Sequence, residues 1–326
     1  MPTINAAIVG LGGWGRRLVE SVQGRSARLR FVRAVDPALE PARKFAAPHG
    51  LAVDADYAVV LRDPAVQAIV LATPHSAHFP QVVAAAAAGK HVFCEKPLAL
   101  TLDDARRMVE ACRAAGVELG VGHNRRLWPS MQALRRHVES GELGEILHLE
   151  GNHSNENSNN AAGTWRDSPA ESPGGGMTGA GLHILDAFVQ LAGPRARARG
   201  QLLVRKPPPA PLDTASVVLE FTGGASGLIG TVRATPYFWR VHVFGTKGSV
   251  ESVGETELVV RRSATRPERV LLEPFDSLRA ELEAFADAVE GKAPFPIAPE
   301  RMLDTVAAFE TVIRSLETGA TVVVGR

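Results

Sequence analysis

Short apolar runs alternate with helical stretches through the first third of the chain. Ile4 to Val9, Leu29 to Val35 and Ala68 to Thr73 each have the length and composition of a buried parallel strand. Helices are predicted from about Trp14 to Val22, through the alanine run Ala84–Ala88, and from the N-cap Thr101 onwards, and the last two end at Gly89 and Gly116, residues suited to a helix C-terminus. Strands separated by helical crossovers predict a doubly wound parallel sheet.

The pattern changes beyond Arg126. Helices are predicted from Pro129 to Glu139 and from Met177 to Leu191, with a strand from Ile146 to His153 between them. After the stiff connector Pro207–Pro211, alternating segments predict antiparallel strands with glycine-containing turns. These strands are Val217–Phe221, Gly227–Arg233, Arg240–Phe244, Ser249–Val253 and Leu258–Arg262, and they are followed by helices Leu278–Val289 and Pro299–Leu316.

The composition is that of an ordinary globular chain. Its 326 residues can hold two domains with substantial cores. A formal net charge of +1 draws the chain neither to nucleic acid nor to an anionic membrane. Cys94 and Cys112 lack the spacing of a metal or redox site, so no metal is expected. With no basic, apolar leader and no run long enough to span a bilayer, we expect a cytoplasmic protein.

A glycine-rich turn follows the first strand directly. Gly10, Gly12 and Gly15 form the pattern GxGxxG, which allows a tight turn, close approach to a pyrophosphate and close helix packing. Asp36 ends the next strand about 20 residues further on, where a carboxylate can bind ribose hydroxyls. A turn without ligand, and an acid that merely caps a turn, are the alternatives. The pattern favours NAD as cofactor, with NADP possible if Arg43 reaches a phosphate.

Two polar motifs lie where strands of the predicted sheet end. Thr73-Pro74-His75 follows one strand and Glu95-Lys96-Pro97 follows the apolar run His91–Cys94. Ligands of open α/β sheets bind outside the carboxyl ends of the strands, so both motifs can border one cofactor cleft. His78 is interpreted as a plain loop or cap residue. We therefore expect the chemistry to centre on Lys96.

The order of these motifs identifies a resemblance that extends over most of the chain. The chain resembles the Gfo/Idh/MocA family of nicotinamide-dependent oxidoreductases. The matching pieces are Gly10-Leu11-Gly12-Gly13-Trp14-Gly15, Asp36, Thr73-Pro74 with His78, Gly89-Lys90-His91-Val92 with Glu95-Lys96-Pro97, Gly122-His123-Asn124-Arg125-Arg126 with Pro129, and Gly174-Gly175-Gly176 leading to His183 and Asp186.

The resemblance implies a fold, a reaction and a set of site residues. The expected fold is α/β, with an N-terminal doubly wound Rossmann domain over residues 1–122 and a C-terminal α+β domain with a large, mostly antiparallel open sheet over 123–326. The expected reaction is reversible hydride transfer between NAD(P) and the hydroxyl-bearing carbon of a sugar, polyol, cyclic diol or related small molecule. The expected catalytic residues are Lys96 and His183. The expected cofactor contacts are Gly10, Gly12, Gly13, Trp14, Gly15, Asp36, Thr73, Pro74, His75, Glu95 and Lys96, and the expected substrate contacts are His123, Asn124, Trp165, Arg166 and His183.

One residue departs from the family pattern. Relatives that act on polyols and sugars usually carry an aspartate four residues before the histidine, where this chain has Gly179. Asp186, on the same helical face as His183, is one substitute for it. Gly179 therefore keeps open an NAD(H)-binding sensor without turnover, and the family resemblance also leaves open a redox-assisted glycosidase with tightly bound NAD.

Two further expectations concern a loop and the assembly. Residues 152–160 are crowded with asparagine and serine, which fits either a mobile polar loop or a loop that binds substrate hydroxyls. Apolar residues in the C-terminal strands, together with the resemblance, predict a homodimer or homotetramer.

Overall fold

The computed structural model describes residues 3–155, 163–208 and 211–324. The chain divides into two compact units, of which the first contains residues 1–124 and 276–303 and the second contains 125–275 and 304–326. The expected division at residue 122 is continuous in sequence, whereas these units are not, because the chain returns to the first unit after residue 275.

The first unit is built on a parallel sheet. Its strand order is β3-β2-β1-β4-β5-β6, and every pairing is parallel. Strand order that reverses beside β1 is the mark of the doubly wound fold, so the predicted architecture is confirmed. The strands are β1 (Ile4–Val9), β2 (Leu29–Val35), β3 (Ala52–Asp54), β4 (Ala68–Leu71), β5 (His91–Glu95) and β6 (Leu119–Gly122).

Helices connect these strands, and their ends follow the local sequence. Thr101 caps α5 by accepting a hydrogen bond from the Asp104 amide at 3.2 Å, and Gly116 ends the same helix at φ 66°, as the sequence predicts. The short elements β3, α2 and α3 were not predicted. The helices are α1 (Gly13–Val22), α2 (Leu39–Ala46), α3 (Tyr57–Arg62), α4 (His75–Ala87) and α5 (Leu102–Ala115).

A later helix, α8 (Ser277–Val289), completes the core of the first unit. Leu282 and Phe285 from this helix join a buried cluster with Leu18, Phe31 and Phe93 from α1, β2 and β5. Burying each such side chain contributes about 1.5–3 kcal/mol. This apolar face explains why the segment returns to the first unit.

The second unit is built on a mostly antiparallel sheet. Its strand order is β14-β13-β12-β11-β7-β10-β9-β8-β15, and the β7–β10 pair alone is parallel among the pairs described. This confirms the predicted class of sheet. The strands are β7 (Ile146–Asn155), β8 (Arg195–Lys206), β9 (Leu212–Phe221), β10 (Ser226–Arg233), β11 (Phe238–Gly245), β12 (Gly248–Val253), β13 (Glu257–Arg262), β14 (Glu268–Leu271) and β15 (Val322–Val323).

Strand β8 was not predicted. Its first half, Arg195–Arg199, alternates arginine with alanine, so the period of two is not carried by large apolar residues. The strand pairs along most of its length with β9 instead, and Ala198 is buried there. Backbone pairing with a neighbour therefore decides the conformation of this segment, which side-chain hydrophobicity does not mark.

Helices pack on one face of the second sheet. They include α6 (Pro129–Glu139), α7 (Leu182–Ala192) and the second part of α9 (Pro299–Thr318). A Cβ at Gly151 of β7 would lie 2.1 Å from the Ile184 side chain of α7, so the strand and helix can approach because this residue is glycine. Among the described residues, no helix is long and apolar enough to cross a membrane.

The helix predicted from Met177 to Leu191 is two elements. Residues Met177–Gly181 form one turn of π-helix, and α7 begins at Leu182. Such π turns inside helices occur frequently at functional sites. Here the turn lies immediately before His183.

Candidate active site

The glycine turn between β1 and α1 has the geometry that the fingerprint predicts. Gly10 has φ 92°, and a Cβ there would lie 2.6 Å from the Ala72 carbonyl oxygen. A Cβ at Gly15 would lie 1.9 Å from the Gly10 oxygen, so α1 could not start against the turn with any larger residue. Gly12 and Gly13 have no other atoms within 4 Å of a Cβ, which leaves their backbone open to a ligand. Trp14 follows them in the first turn of α1, which has no acidic residue.

Asp36 is anchored beside this turn. Its Oδ2 accepts a hydrogen bond from the Leu11 amide at 2.7 Å, and its Oδ1 accepts one from the Ala38 amide at 2.8 Å. The carboxylate is thereby fixed at the end of β2, at the glycine turn. Arg43, the candidate for a phosphate contact, pairs with Glu40 at 3.3 Å on the surface.

These features fit a dinucleotide. The open backbone at Gly12 and Gly13, together with the amino end of α1, suits a pyrophosphate, because helix N-termini favour negative charge. The fixed Asp36 carboxylate suits two ribose hydroxyl groups and would repel a 2′-phosphate. The residues present therefore fit NAD.

Buried His78 joins the two strand-end motifs of the first unit. Its Nδ1 lies 2.8 Å from the Pro97 carbonyl oxygen and its Nε2 lies 3.2 Å from the Thr73 oxygen. His78 thus holds the loops after β4 and β5 together, rather than acting as a plain cap. His75 begins α4 with its ring 5.8 Å from that of His78, and the peptide bond between Lys96 and Pro97 is cis.

Glu95 is buried at the end of β5, directly before Lys96. The Lys96 amide donates a hydrogen bond to Glu95 Oε2 at 3.3 Å. On the neighbouring strand, a Cβ at Gly122 would lie 2.6 Å from Glu95 Oε1, so the glycine makes room for this carboxyl. The side chain of Glu95 is therefore fixed by the sheet that carries Lys96.

His123 and Asn124 follow β6 and are both buried. The Asn124 amide donates to the Ser277 hydroxyl at 3.0 Å, which ties the end of β6 to the start of α8. Asn124 thus has a contact within the first unit besides its expected role towards substrate.

His183 lies in the second unit, on the first turn of α7, and is 6% exposed. Its ring centroid is 6.2 Å from that of His153 on β7. His153 Nδ1 donates to the Ala180 carbonyl oxygen at 2.9 Å, in the π-helical turn. The irregular turn therefore supplies a carbonyl that orients the histidine neighbouring His183.

The Asp186 carboxylate forms an ion pair with Arg126. The Arg126 guanidinium donates to its two oxygens at 2.7 and 2.6 Å, and the Thr305 hydroxyl donates to Oδ1 at 3.2 Å. Removing one partner of such a buried pair typically costs about 3–5 kcal/mol. Asp186 is thus a structural anchor of α7, and Gly179 has no atom within 4 Å of a Cβ and is exposed.

Arg125 is a functional candidate that the sequence analysis did not single out. Its guanidinium carbon lies 4.9 Å from the Trp128 ring centroid and 4.8 Å from that of Trp239. The same group donates to His153 Nε2 at 3.0 Å, which agrees with the Nδ1–H tautomer of that ring. Burial lowers the pKa of Arg125 to about 10, so it remains charged at neutral pH.

Trp165 and Arg166 lie on a single 3₁₀ turn in the second unit. The Arg166 guanidinium stacks on the Trp165 ring with 4.1 Å to the centroid, and Arg166 is exposed. Of the asparagine-rich loop, Asn152 and Asn155 belong to β7, while residues 156–162, including Asn157, Asn159 and Asn160, lie outside the described residues. Within residues 3–155, 163–208 and 211–324, no cluster of His, Cys, Asp or Glu side chains could hold a metal ion.

The first unit can hold a dinucleotide at the turn after β1, and it carries Lys96 at the end of β5, two strands away in the same sheet. These features define the class of NAD-dependent oxidoreductases. Comparison with known proteins gives the family. Residues 4–123 match the model of an "oxidoreductase family, NAD-binding Rossmann fold", and residues 131–251 match the "GFO/IDH/MocA C-terminal domain". The chain belongs to the Gfo/Idh/MocA family.

Individual relatives agree with this assignment. An uncharacterized oxidoreductase of Bacillus subtilis, YrbE, is 30% identical over 88% of this chain and 86% of its own length. A myo-inositol 2-dehydrogenase of Thermotoga maritima is 33% identical over 74% of this chain and 75% of its own. A levoglucosan dehydrogenase solved with NADH and levoglucosan has the same fold, with a TM-score of 0.88 at 20% identity over 100% of both chains.

Proposed function

We propose that this protein catalyses the reversible oxidation of a hydroxyl-bearing carbon in a sugar, a polyol or a related cyclic diol, with NAD as hydride acceptor. The observation that carries the proposal is the fixed polar constellation at the strand ends of the first unit, where Glu95 and His78 hold the loop that contains Lys96, at the same edge of the parallel sheet as the glycine turn. The dehydrogenase relative that acts on myo-inositol supports a polyol as the kind of substrate.

Lys96 is proposed to bind the reacting oxygen. Oxidation of an alcohol removes the hydroxyl proton as hydride leaves carbon, so negative charge develops on that oxygen. A lysine ammonium placed against the oxygen stabilises this charge. NAD, when bound, accepts the hydride and so supplies the redox chemistry.

His183 is proposed to take the hydroxyl proton. A histidine titrates near neutral pH and can accept a proton in the oxidation and return it in the reduction. With Asp186 bound to Arg126, the second unit provides no carboxylate from α7 to assist His183. The proposed mechanism therefore uses Lys96 and His183 without a third acid at position 179, and His123, Asn124, Trp165 and Arg166 remain proposed substrate contacts.

The proposal is tested by substitution of Lys96. Lys96→Ala is expected to lower kcat by about 100-fold or more, in line with loss of a positioned acid–base group, while NAD still binds. Turnover is measured as NADH absorbance with a panel of sugars, inositols and cyclic diols, and NAD affinity by titration calorimetry. Lys44→Ala, which removes an exposed lysine of α2, is the control. Near-normal turnover in Lys96→Ala would show that the assignment is wrong.

The same assay separates the alternatives. A dehydrogenase produces net NADH from a simple alcohol, whereas a sensor produces none and a redox-assisted glycosidase cleaves substrate without net NADH. Binding of NAD with no product from any compound in the panel would favour the sensor.

We also propose that the protein is a homodimer or homotetramer and cytoplasmic. Its second sheet carries an exposed apolar pair, Val218 and Leu228, on neighbouring strands, which supports self-association. Reduced, buried Cys94 and Cys112 are typical of cytoplasmic proteins.

A further inference from the structure

A buried glutamate interrupts the apolar face of α8. Glu281 lies on the same face as Leu278, Leu282 and Phe285, at helical spacing, and is 3% exposed. A carboxyl group in such a position is rare, because burying its charged form without compensation is costly. None of the cofactor or substrate contacts described above requires this residue.

The packing of α8 on β5 places Glu281 next to Glu95. Phe285 of the helix meets Phe93 of the strand with ring centroids 5.7 Å apart. Glu281 is one helical turn before Phe285, and Glu95 is two residues beyond Phe93, on the same face of the sheet. The two carboxyl groups therefore form the next layer of the same interface.

The neighbouring strand β6 makes space for both layers with glycine. A Cβ at Gly120 would lie 3.0 Å from both Phe93 and Phe285, and one at Gly122 would lie 2.6 Å from Glu95 Oε1. The Asn124–Ser277 hydrogen bond, just beyond, fixes the start of α8 above this site. The position of Glu281 relative to Glu95 is thus held from both sides.

The hydrogen-bond donors around Glu281 decide its ionisation. Among the described residues, no group donates a hydrogen bond to its buried Oε1. Burial raises the pKa of Glu281 well above its usual range, and the negative charges of Glu95 and Asp276 raise it further. The side chains of α1 and β2 in the same core are apolar. At the far end of α8, Arg28 pairs with Asp287 and Glu290, and Lys292 pairs with Glu290.

We propose that Glu281 is a protonated carboxylic acid that donates its hydrogen bond to the Glu95 carboxylate, and that it is thereby a positioning residue for Lys96. One proton then satisfies two buried carboxyl groups that would otherwise repel each other. Glu95 keeps an oxygen for the Lys96 amide, which donates to Oε2 at 3.3 Å. Only the last link, from Glu95 to the chemistry, rests on the proposed function of Lys96.

The protonation is tested without any substrate. Infrared spectra of the full chain at pH 8 are expected to contain the carbonyl band of one protonated carboxylic acid, which Glu281→Gln removes and Glu283→Gln, on a less buried face of the same helix, retains. Glu95→Gln removes the negative neighbour, so the band should disappear at a lower pH in that variant. A wild-type spectrum without the band, or a band whose titration Glu95→Gln leaves unchanged, overturns the proposal.

Thermal unfolding gives an independent readout. A carboxyl whose pKa is raised in the folded protein contributes its full stability below about pH 4.3, its unfolded value, and that stability is lost as the pH rises. Glu281→Gln cannot ionise and keeps a donor for Glu95, so its melting temperature should exceed that of the wild type at pH 8 by about 2 °C or more. The difference should shrink towards pH 4.5. A variant that melts lower than the wild type at both pH values contradicts the proposal.

The link to Lys96 is tested by the reactivity of its amine. Acylation of Lys96 by acetic anhydride, followed by mass spectrometry of its peptide, should be unchanged in Glu281→Gln, which still donates a hydrogen bond. Glu281→Leu should slow it several-fold, because the Glu95 carboxylate that loses its donor turns to the Lys96 ammonium. Equal acylation rates of Lys96 in all variants would contradict the positioning role of Glu281. They would leave the proposed function open, because Lys96→Ala tests that function separately.

Discussion

Asp36 is proposed to set the preference for NAD over NADP through a single fixed charge. Two backbone amides hold its carboxylate against the glycine turn. Asp36→Asn keeps a hydrogen-bond acceptor but removes the charge that opposes a 2′-phosphate. We expect the affinity for NADP relative to NAD to rise by about tenfold, the equivalent of 1.4 kcal/mol.

Calorimetric titration with both cofactors measures this ratio. Glu20→Gln, which neutralises an exposed acid on α1, is the matched control and should leave it unchanged. An unaltered ratio in Asp36→Asn would mean that another group excludes NADP.

Gly179 lies at the position where the family resemblance leads us to expect an aspartate. A side chain fits there, since no atom lies within 4 Å of a Cβ. In Gly179→Asp, a carboxylate four residues before His183 should raise the pKa of that imidazole, and the rise of kcat with pH should move to higher pH by up to about one unit. Gly179→Asn has the same size without the charge and should not move the profile. Identical profiles for the two variants would contradict a catalytic role for His183.

At the scale of elements, Gly122 of β6 leaves space for the Glu95 side chain of the neighbouring strand β5. Gly122→Ala would put a methyl group 2.6 Å from Glu95 Oε1, so the buried carboxyl must move. We expect a loss of about 1–3 kcal/mol in the free energy of unfolding, as for other overpacked sites, and a lower kcat with little change in NAD affinity.

Chemical denaturation and turnover measure the two effects. The control is Gly223→Ala, at a turn between β9 and β10 where the added Cβ meets nothing within 4 Å. Wild-type stability and kcat in Gly122→Ala would show that Glu95 is not held as tightly as its packing indicates.

Strand β11 carries a buried histidine that should make the free energy of unfolding pH-dependent. Burial lowers the pKa of His242 to about 4, and its Nε2 contacts the Ser249 hydroxyl at 2.9 Å. Because the unfolded chain binds the proton more readily, the contribution of His242 is complete above about pH 6.5 and is lost as the pH falls towards 4. His242→Gln should lose about 1–2 kcal/mol less than the wild type over that range. Urea unfolding at several pH values tests this, with half-buried His49→Gln as control.

At the scale of the whole molecule, exposed apolar residues on the sheet of the second unit predict self-association. Val218 and Leu228 are cross-strand partners, 54% and 42% exposed, and alternate with fully buried Val217 and Ile229. The double variant Val218→Asp, Leu228→Asp places two charges on this face and should dissociate the oligomer at micromolar concentration. Light scattering measures the mass, and Leu271→Asp, at an edge strand of the same sheet, is the control. A monomeric wild-type protein would refute the oligomer itself.

Much of the first unit could be predicted because its signals are local. Strand composition, the glycine turn and Asp36 lie within about 35 residues, and the geometry of a βαβ unit places them together. The positions of Thr73-Pro74-His75 and Lys96 at strand ends followed from the same alternation of elements.

The tertiary structure alone decided the contacts between distant segments. Periodicity marked the apolar face of α8 and of the second sheet, but not which element covers that face. The Arg126–Asp186 pair, the contact of Arg125 with the Trp239 ring and the proximity of Glu281 to Glu95 each join residues far apart in sequence. From sequence alone, a charged residue is interpreted as solvated, because its partners and apolar neighbours are not known. Its ionisation and role depend on burial and on nearby charges, which only tertiary packing supplies.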